Sequence, residues 1–299
     1  MSRGRRTGCV AALLLLAACG RRDNPLDAEA EPEPCTTGAP VPGTPVQDPS
    51  GPYYHQVAVA RTADGITLSG AKQVLDHASV PDAVRLADGR VLVYYVNGAR
   101  GAVWVAELTA DTALAPRAIV VDDVVEPSGI VDPDAFLLPD GSVRLYYLNG
   151  FSPPGSGVAR AICYAESRDG VHFGQGRVAL PMASGELLTD PSVVRLGDGS
   201  WRMAVSLGQR SVLARSPDGI SFSRTGTFDG GGVPELAALP DGRLRIYVCA
   251  HGIESWLSAN GGQSWTREAT VVAPNTLGKR ILCDPSLPPG AGLFVFKTG

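Results

Sequence analysis

Short runs of apolar, β-branched and aromatic residues alternate along this chain with Asp-Gly, Asn-Gly and Pro punctuation. The clearest stretch is 131–150, V-D-P-D-A-F-L-L-P-D-G-S-V-R-L-Y-Y-L-N-G, in which two apolar runs flank an Asp-Gly pair. Asp-Gly tolerates the positive φ that a tight hairpin turn demands, so the stretch predicts a β-hairpin. The pattern recurs. Val80-Pro81-Asp82, Asp132-Pro133-Asp134, Asp190-Pro191-Ser192, Val233-Pro234-Glu235 and Asp284-Pro285-Ser286 open five copies. In the first four, a turn aspartate (Asp88, Asp140, Asp198, Asp241) follows the third motif residue by six positions. The fifth copy is shorter and turns at Pro289-Gly290.

A second element has its own signature, a β-run leading into Ser-x-Asp-Gly and then an aromatic. Its clear copies start at Ser167 and Ser216, Ser258 opens a longer variant, and Thr109 a degenerate one. The fifth, from Thr62, stands before any hairpin. The C-terminal hairpin therefore lacks partner strands, and the N-terminal stretch 53–75 supplies them. Pairing the two ends closes a ring and removes open sheet edges. The expected architecture is all-β: a five-bladed β-propeller of four-stranded antiparallel blades, closed by N-terminal strands completing the C-terminal blade. A β-sandwich would give no reason for copies in matching register.

Composition agrees with many short strands: 36 glycines and 24 prolines in 299 residues, and 6% aromatics. The formal net charge is −4, and Arg3, Arg5 and Arg6 sit in the leader, so nucleic acid is excluded as an expected partner. Residues 1–18 combine that basic region with an apolar run too short to span a bilayer, and read as a signal peptide. Leu16-Ala17-Ala18-Cys19 resembles the lipobox of bacterial lipoproteins, which implies cleavage before Cys19, acylation of its sulfur and a cell-envelope location. Gly20 after it points to the outer membrane. Residues 19–52, rich in Pro, Glu and Asp, read as a lipidated flexible tether. The domains are thus 1–18, 19–52 and 53–299, and a monomer is expected. Cys35, Cys163, Cys249 and Cys283 can pair in an oxidising compartment; Cys249–Cys283 is preferred on repeat position, with the connectivity otherwise open.

Candidate chemistry concentrates at the starts of the inner strands. First-position residues are Val80, Asp132, Asp190, Val233 and Asp284; third-position residues are Asp82, Asp134, Ser192, Glu235 and Ser286. Residues two apart on a strand point the same way, so six carboxylates are expected at one channel mouth, with desolvation raising some of their pKa values. The repeated aspartates Asp132, Asp190 and Asp284 are expected to brace neighbouring blades, with Asp132 and Asp190 also reaching substrate. The variable set, Asp82, Asp134 and Glu235, is expected to do the chemistry. His55, His77, His172 and His251 lack metal-ligand spacing, and only His251 is a candidate pocket residue. Trp104, Trp201 and Trp256 read as core. No cofactor is expected, although six acidic groups around an axis suit a central structural cation such as calcium.

The Ser-x-Asp-Gly turns resemble the Asp-box of sialidases and other propellers, which reports fold and assigns no catalysis to Asp169, Asp218 or Asn260. The copy from Asp132 to Leu148 resembles the second blade of five-bladed glycoside hydrolases of the arabinanase and β-xylosidase type, with their invertase and levansucrase relatives. That resemblance implies three carboxylates at the channel mouth and a carbohydrate partner. An Asp on the first blade is base or nucleophile, an Asp on the second tunes pKa, and a Glu on the third is the acid. Asp82 matches the first and Asp134 (or Asp132) the second. The third blade departs from the pattern, reading Thr189-Asp190-Pro191-Ser192, and Glu235 one blade later takes the acid's place. The competing expectation is a non-catalytic propeller that binds glycan or a cell-envelope protein through the same mouth.

Overall fold

The computed structural model describes residues 1, 32–37, 48–124, 129–151 and 157–299. The lipobox cysteine Cys19, the leader and most of the expected tether lie outside the described residues. Within them the chain builds five four-stranded antiparallel sheets. Blade I holds Ala78–Arg85, Val91–Asn97, Ala102–Leu108 and Ala113–Ala118, and blade II holds Val131–Leu137, Val143–Leu148, Ala161–Ser167 and Arg177–Pro181. Blade III holds Thr189–Arg195, Trp201–Leu207, Arg210–Ser216 and Ser223–Phe228, and blade IV holds Gly232–Ala238, Leu244–Ala250, Gly252–Ser258 and Thr266–Val272. Blade V is assembled from both ends: Leu282–Ser286 and Leu293–Thr298, then Gln56–Arg61 and Ser69–Asp76. The closing pair runs in unbroken register from Gln56 opposite Thr298 to Arg61 opposite Leu293. This is the five-bladed propeller with the closure that the permuted repeat predicts.

The apolar core is divided between blades rather than held in one centre. Five clusters each bridge one neighbouring pair: Leu92 and Tyr94 with Leu145 and Phe173, Tyr146 and Ile162 with Trp201 and Val205, and Ala204 with Ile246 and Val248. Tyr247 and Ile253 pack on Phe294 and Phe296, and Val57 and Val295 on Val93 and Tyr95, so the ring is apolar all the way round. Each blade therefore buries both faces only when its neighbours are present.

The Ser-x-Asp-Gly turns serve the same joints. The hydroxyl of Thr62, Ser167 or Ser216 accepts the amide of the glycine three residues on, at 2.9 Å in each case. Gly170 and Gly219 adopt φ of 73° and 76°; a Cβ at Gly170 would press on the neighbouring blade's Tyr94 hydroxyl, and one at Gly219 on the Trp201 ring of its own blade. Tyr94 donates to Gly170 O at 2.9 Å and Tyr146 to Gly219 O at 2.6 Å, so each turn is latched to the blade before it.

Two disulfides fasten the ring. Cys249–Cys283 joins blades IV and V, as the repeat position suggested. Cys35–Cys163 ties a piece of the expected tether to blade II, where Cys35 N donates to Gly176 O at 2.8 Å and Val178 N to Glu33 O at 2.8 Å. Contacts group Pro32–Gly299 as one compact unit. No helix among the described residues is long and apolar enough to cross a membrane.

Candidate functional site: two acidic clusters on the propeller axis

The expectation that first- and third-position residues face the same way is corrected by the backbone. Val80, Asp132, Asp190, Val233 and Asp284 all take φ between 48° and 53°, the left-handed region. The residue before proline is barred from the right-handed helical region, and here it takes the strained alternative in all five blades. The ladder slips at the same place each time, between Ser79 and Asp82, Val131 and Asp134, Thr189 and Pro191, Gly232 and Glu235, and Cys283 and Ser286. A bulge re-aims side chains. The six carboxylates consequently part into two clusters, with a narrow void of about 20 Å³ between them, lined by Pro81, Pro133, Pro191, Pro234 and Pro285.

The third-position cluster is Asp82, Asp134 and Glu235. One oxygen from each lies within 4.8 Å of the others. All three line a cavity of about 830 Å³ that opens toward the inner-hairpin turns, past Pro240, Asp241, Pro289 and Gly290. The mouth therefore lies at the turn side of the inner strands, not at their starts. The rest of the wall is largely apolar, with Ala83, Ala135, Phe136, Val193, Leu236 and Leu287.

A belt of inter-blade hydrogen bonds holds these side chains. Ala135 N donates to Asp82 Oδ2 at 2.7 Å, Leu236 N to Ser192 Oγ at 2.8 Å, Leu287 N to Glu235 Oε1 at 2.9 Å and Ala83 N to Ser286 Oγ at 2.9 Å. The Val193 amide does the same for Asp134. Bracing by amide acceptance, expected of Asp132, Asp190 and Asp284, thus belongs chiefly to the third position. Only a weaker contact, Asp190 N to Asp132 Oδ2 at 3.4 Å, survives at the first. Ser286 Oγ donates to Asp82 Oδ1 at 2.8 Å and Ser192 Oγ to Glu235 Oε2 at 2.7 Å, which leaves Asp134 Oδ2 buried with no hydrogen-bond partner.

Burial dominates the electrostatics. It pushes Asp82 up to about 6 against the pull of the Ala135 amide, the Ser286 hydroxyl and the Ala83 amide. Burial and then the Asp82 charge push Glu235 up to about 8, and burial with Asp82 and Glu235 raises Asp134 well above the usual carboxylate range. Glu235 is therefore protonated at neutral pH. Asp82, Asp134 and Glu235 lie close enough that their protons come off as a set. Three buried carboxylates with one open oxygen can also hold a metal ion.

The first-position cluster is neutralised from within. Lys297, on the second strand of blade V, pairs with Asp284. Burial alone would lower the lysine's pKa, but the attraction of Asp284, with Asp190 and Asp132 behind it, raises it. Burial and the neighbouring aspartates raise Asp132 well above its ordinary range, and burial with Asp284 pushes Asp190 to about 6. His55, buried beside Lys297, is lowered by burial and by that cation, and its Nδ1 meets Ser79 Oγ at 2.8 Å. Asp132 and Asp190 are absent from the 830 Å³ cavity wall. His251, an exposed turn residue of blade IV, also lies away from it.

Sequence reasoning missed several participants. Ser192 and Ser286 were visible as members of the third-position set but not as hydrogen-bond donors. Lys297 had no signal, since nothing in its strand marks it as a counterion. Phe136 and Arg195 sit just past the motif and their place in the cavity wall follows only from the ring.

The chain matches no family model and no curated protein at significant similarity. Solved structures share its fold. A Dyadobacter fermentans protein described as of unknown function superposes with a TM-score of 0.56 at 14% identity over 86% of both chains. An α-L-arabinofuranosidase from Clostridium thermocellum gives 0.53 at 16% identity, covering 71% of this chain and 79% of its own. The catalytic domain of a family-62 α-L-arabinofuranosidase from Coprinopsis cinerea gives 0.54 at 11% identity, covering 89% and 97%. The five-bladed propeller of this chain is thus a fold it shares with these proteins, two of them arabinofuranosidases.

Proposed function

We propose that the cavity binds a carbohydrate and hydrolyses a glycosidic bond. The observation that carries this reading is the convergence of Asp82, Asp134 and Glu235 within 4.8 Å at the floor of an 830 Å³ cavity, with their proton affinities driven apart. Carboxyls about 5–5.5 Å apart suit a double displacement with retention, whereas inversion needs roughly 6.5–9.5 Å to admit a water. Glu235, protonated at neutral pH, acts as the acid toward the leaving oxygen. The Asp82–Asp134 pair supplies the negative charge, and the open Oδ2 of Asp134 is the oxygen that meets the sugar. The glycoside hydrolases with the same fold support the substrate class.

The hydrogen-bond belt favours a second reading, in which the third-position carboxylates brace the ring, hold a cation such as calcium and take part in binding alone. A screen of the purified protein on aryl glycosides and plant and microbial glycans separates the two. Turnover that falls by about 10²–10⁴-fold in Asp134→Asn and Glu235→Gln supports hydrolysis. Glycan binding without turnover, unaffected by Glu235→Gln, leaves only the second reading. The lipobox-like Cys19 further proposes an acylated protein of the bacterial cell envelope, tested by loss of the lipid mass in Cys19→Ala.

A further inference from the structure

Three arginines line the cavity and they are not equivalent. Arg243 is paired with Asp241, its Nε at 2.7 Å. Arg245 directs Nε and Nη2 to Glu268 and Nη1 to the Asp64 carbonyl. Arg195, which ends the inner strand of blade III, is exposed and pairs with no carboxylate among the described residues. Its side chain makes one hydrogen bond among the described residues, a long one, Nε to Gly199 O at 3.4 Å. Its terminal nitrogens remain available.

That guanidinium lies near an aromatic ring. It lies 5.9 Å from the centroid of the buried Trp201 ring. Trp201 in turn packs 4.6 Å from Phe136, an aromatic of the cavity wall. Phe136 and Arg195 thus both face the cavity, one apolar and one cationic, with the buried Trp201 packed behind them. The C–H face of a sugar suits an aromatic wall, and a guanidinium fork matches the two oxygens of a carboxylate or sulfate.

Resting on the reading of the cavity as a carbohydrate site, we propose that its ligand is an anionic glycan, a sugar bearing a carboxylate or sulfate that seats on Arg195 while the ring lies against Phe136. The test uses the whole chain and a panel of uronate-bearing and sulfated oligosaccharides, each with its methyl-esterified or desulfated counterpart, and reads binding rather than turnover. The charged member of a pair binds at least tenfold more tightly than its neutral counterpart. Arg195→Gln weakens charged ligands by about 10- to 100-fold and neutral ones little, as expected for charge-assisted hydrogen bonds, and Arg195→Lys recovers part of the loss. Preference for uronate over sulfate, or the reverse, identifies the group. Neutral counterparts binding as tightly as charged ones, or Arg195→Gln binding a charged ligand like wild type, overturns the proposal. Tight Arg195-dependent binding without hydrolysis overturns the hydrolytic reading and leaves this one standing, whereas hydrolysis confined to neutral glycans does the reverse.

Discussion

Two sets of three carboxylates share the axis of this propeller, and they have opposite fates. Asp132, Asp190 and Asp284 gather around Lys297 and do not line the 830 Å³ cavity. Asp82, Asp134 and Glu235 form no ion pair among the described residues and form the floor of an 830 Å³ cavity. The sets lie two residues apart in sequence, yet a left-handed residue before each proline sends them to different surroundings. Like charges gathered in a folded protein must be neutralised by a counterion, by protons or by a ligand. The first set has its counterion built in. The second is left with protons and whatever enters the cavity, and that makes it the reactive one.

The largest effect should come from removing the built-in counterion. Lys297→Met leaves the aspartates uncompensated and should cost about 3–5 kcal/mol in a denaturant melt, with much of it recovered in Lys297→Met/Asp284→Asn. The corresponding change in the cavity, Asp134→Asn, should leave stability unchanged or raise it by about 1 kcal/mol, because it removes like-charge repulsion around a partnerless oxygen. Equal losses in both clusters would abolish the comparison.

Next in size is a pH dependence. The folded-state pKa of Glu235, about 8, lies above its ordinary 4.5, so between those values the native state binds more protons than the unfolded state. Stability from this group is therefore fully present below about pH 4.5 and is lost as pH rises through about 8. Glu235→Gln should flatten the curve, reducing the fall in Tm across that window by on the order of 5 °C. A profile unchanged by the substitution would show that Glu235 is not held protonated.

Confined to stability is the contribution of the N-terminal strap. Cys35 and Cys163 are 128 residues apart, so their bond restrains a long loop of the unfolded chain. Removing it with Cys35→Ser/Cys163→Ser should cost about 2–4 kcal/mol of stability. Glycan binding at the cavity should change less than twofold, since neither cysteine lines it. A loss of binding as large as that of Asp134→Asn would show that the strap shapes the site.

Much of this protein was legible before any coordinates. Spacing alone determined the five hairpins, the displaced half-blade from Thr62 and hence the closure of Leu293–Thr298 on Gln56–Arg61, because turn chemistry and strand alternation are local properties of sequence. It also separated Asp82, Asp134 and Glu235 from Asp132, Asp190 and Asp284 as different positions. What it assigned to them was partly reversed. Bracing belongs to the third position, through amides such as Ala135 N and Leu287 N, and the cavity opens on the turn side. Those outcomes depend on a φ near 50° at one residue per blade, and the sequence does not announce such a value when it falls on Val80 or Asp132. The counterion Lys297, the open oxygen of Asp134 and the place of Phe136 and Arg195 in the cavity wall likewise required the closed ring. Each is a contact between residues distant in sequence, and only packing five blades around one axis decides which side chains meet there.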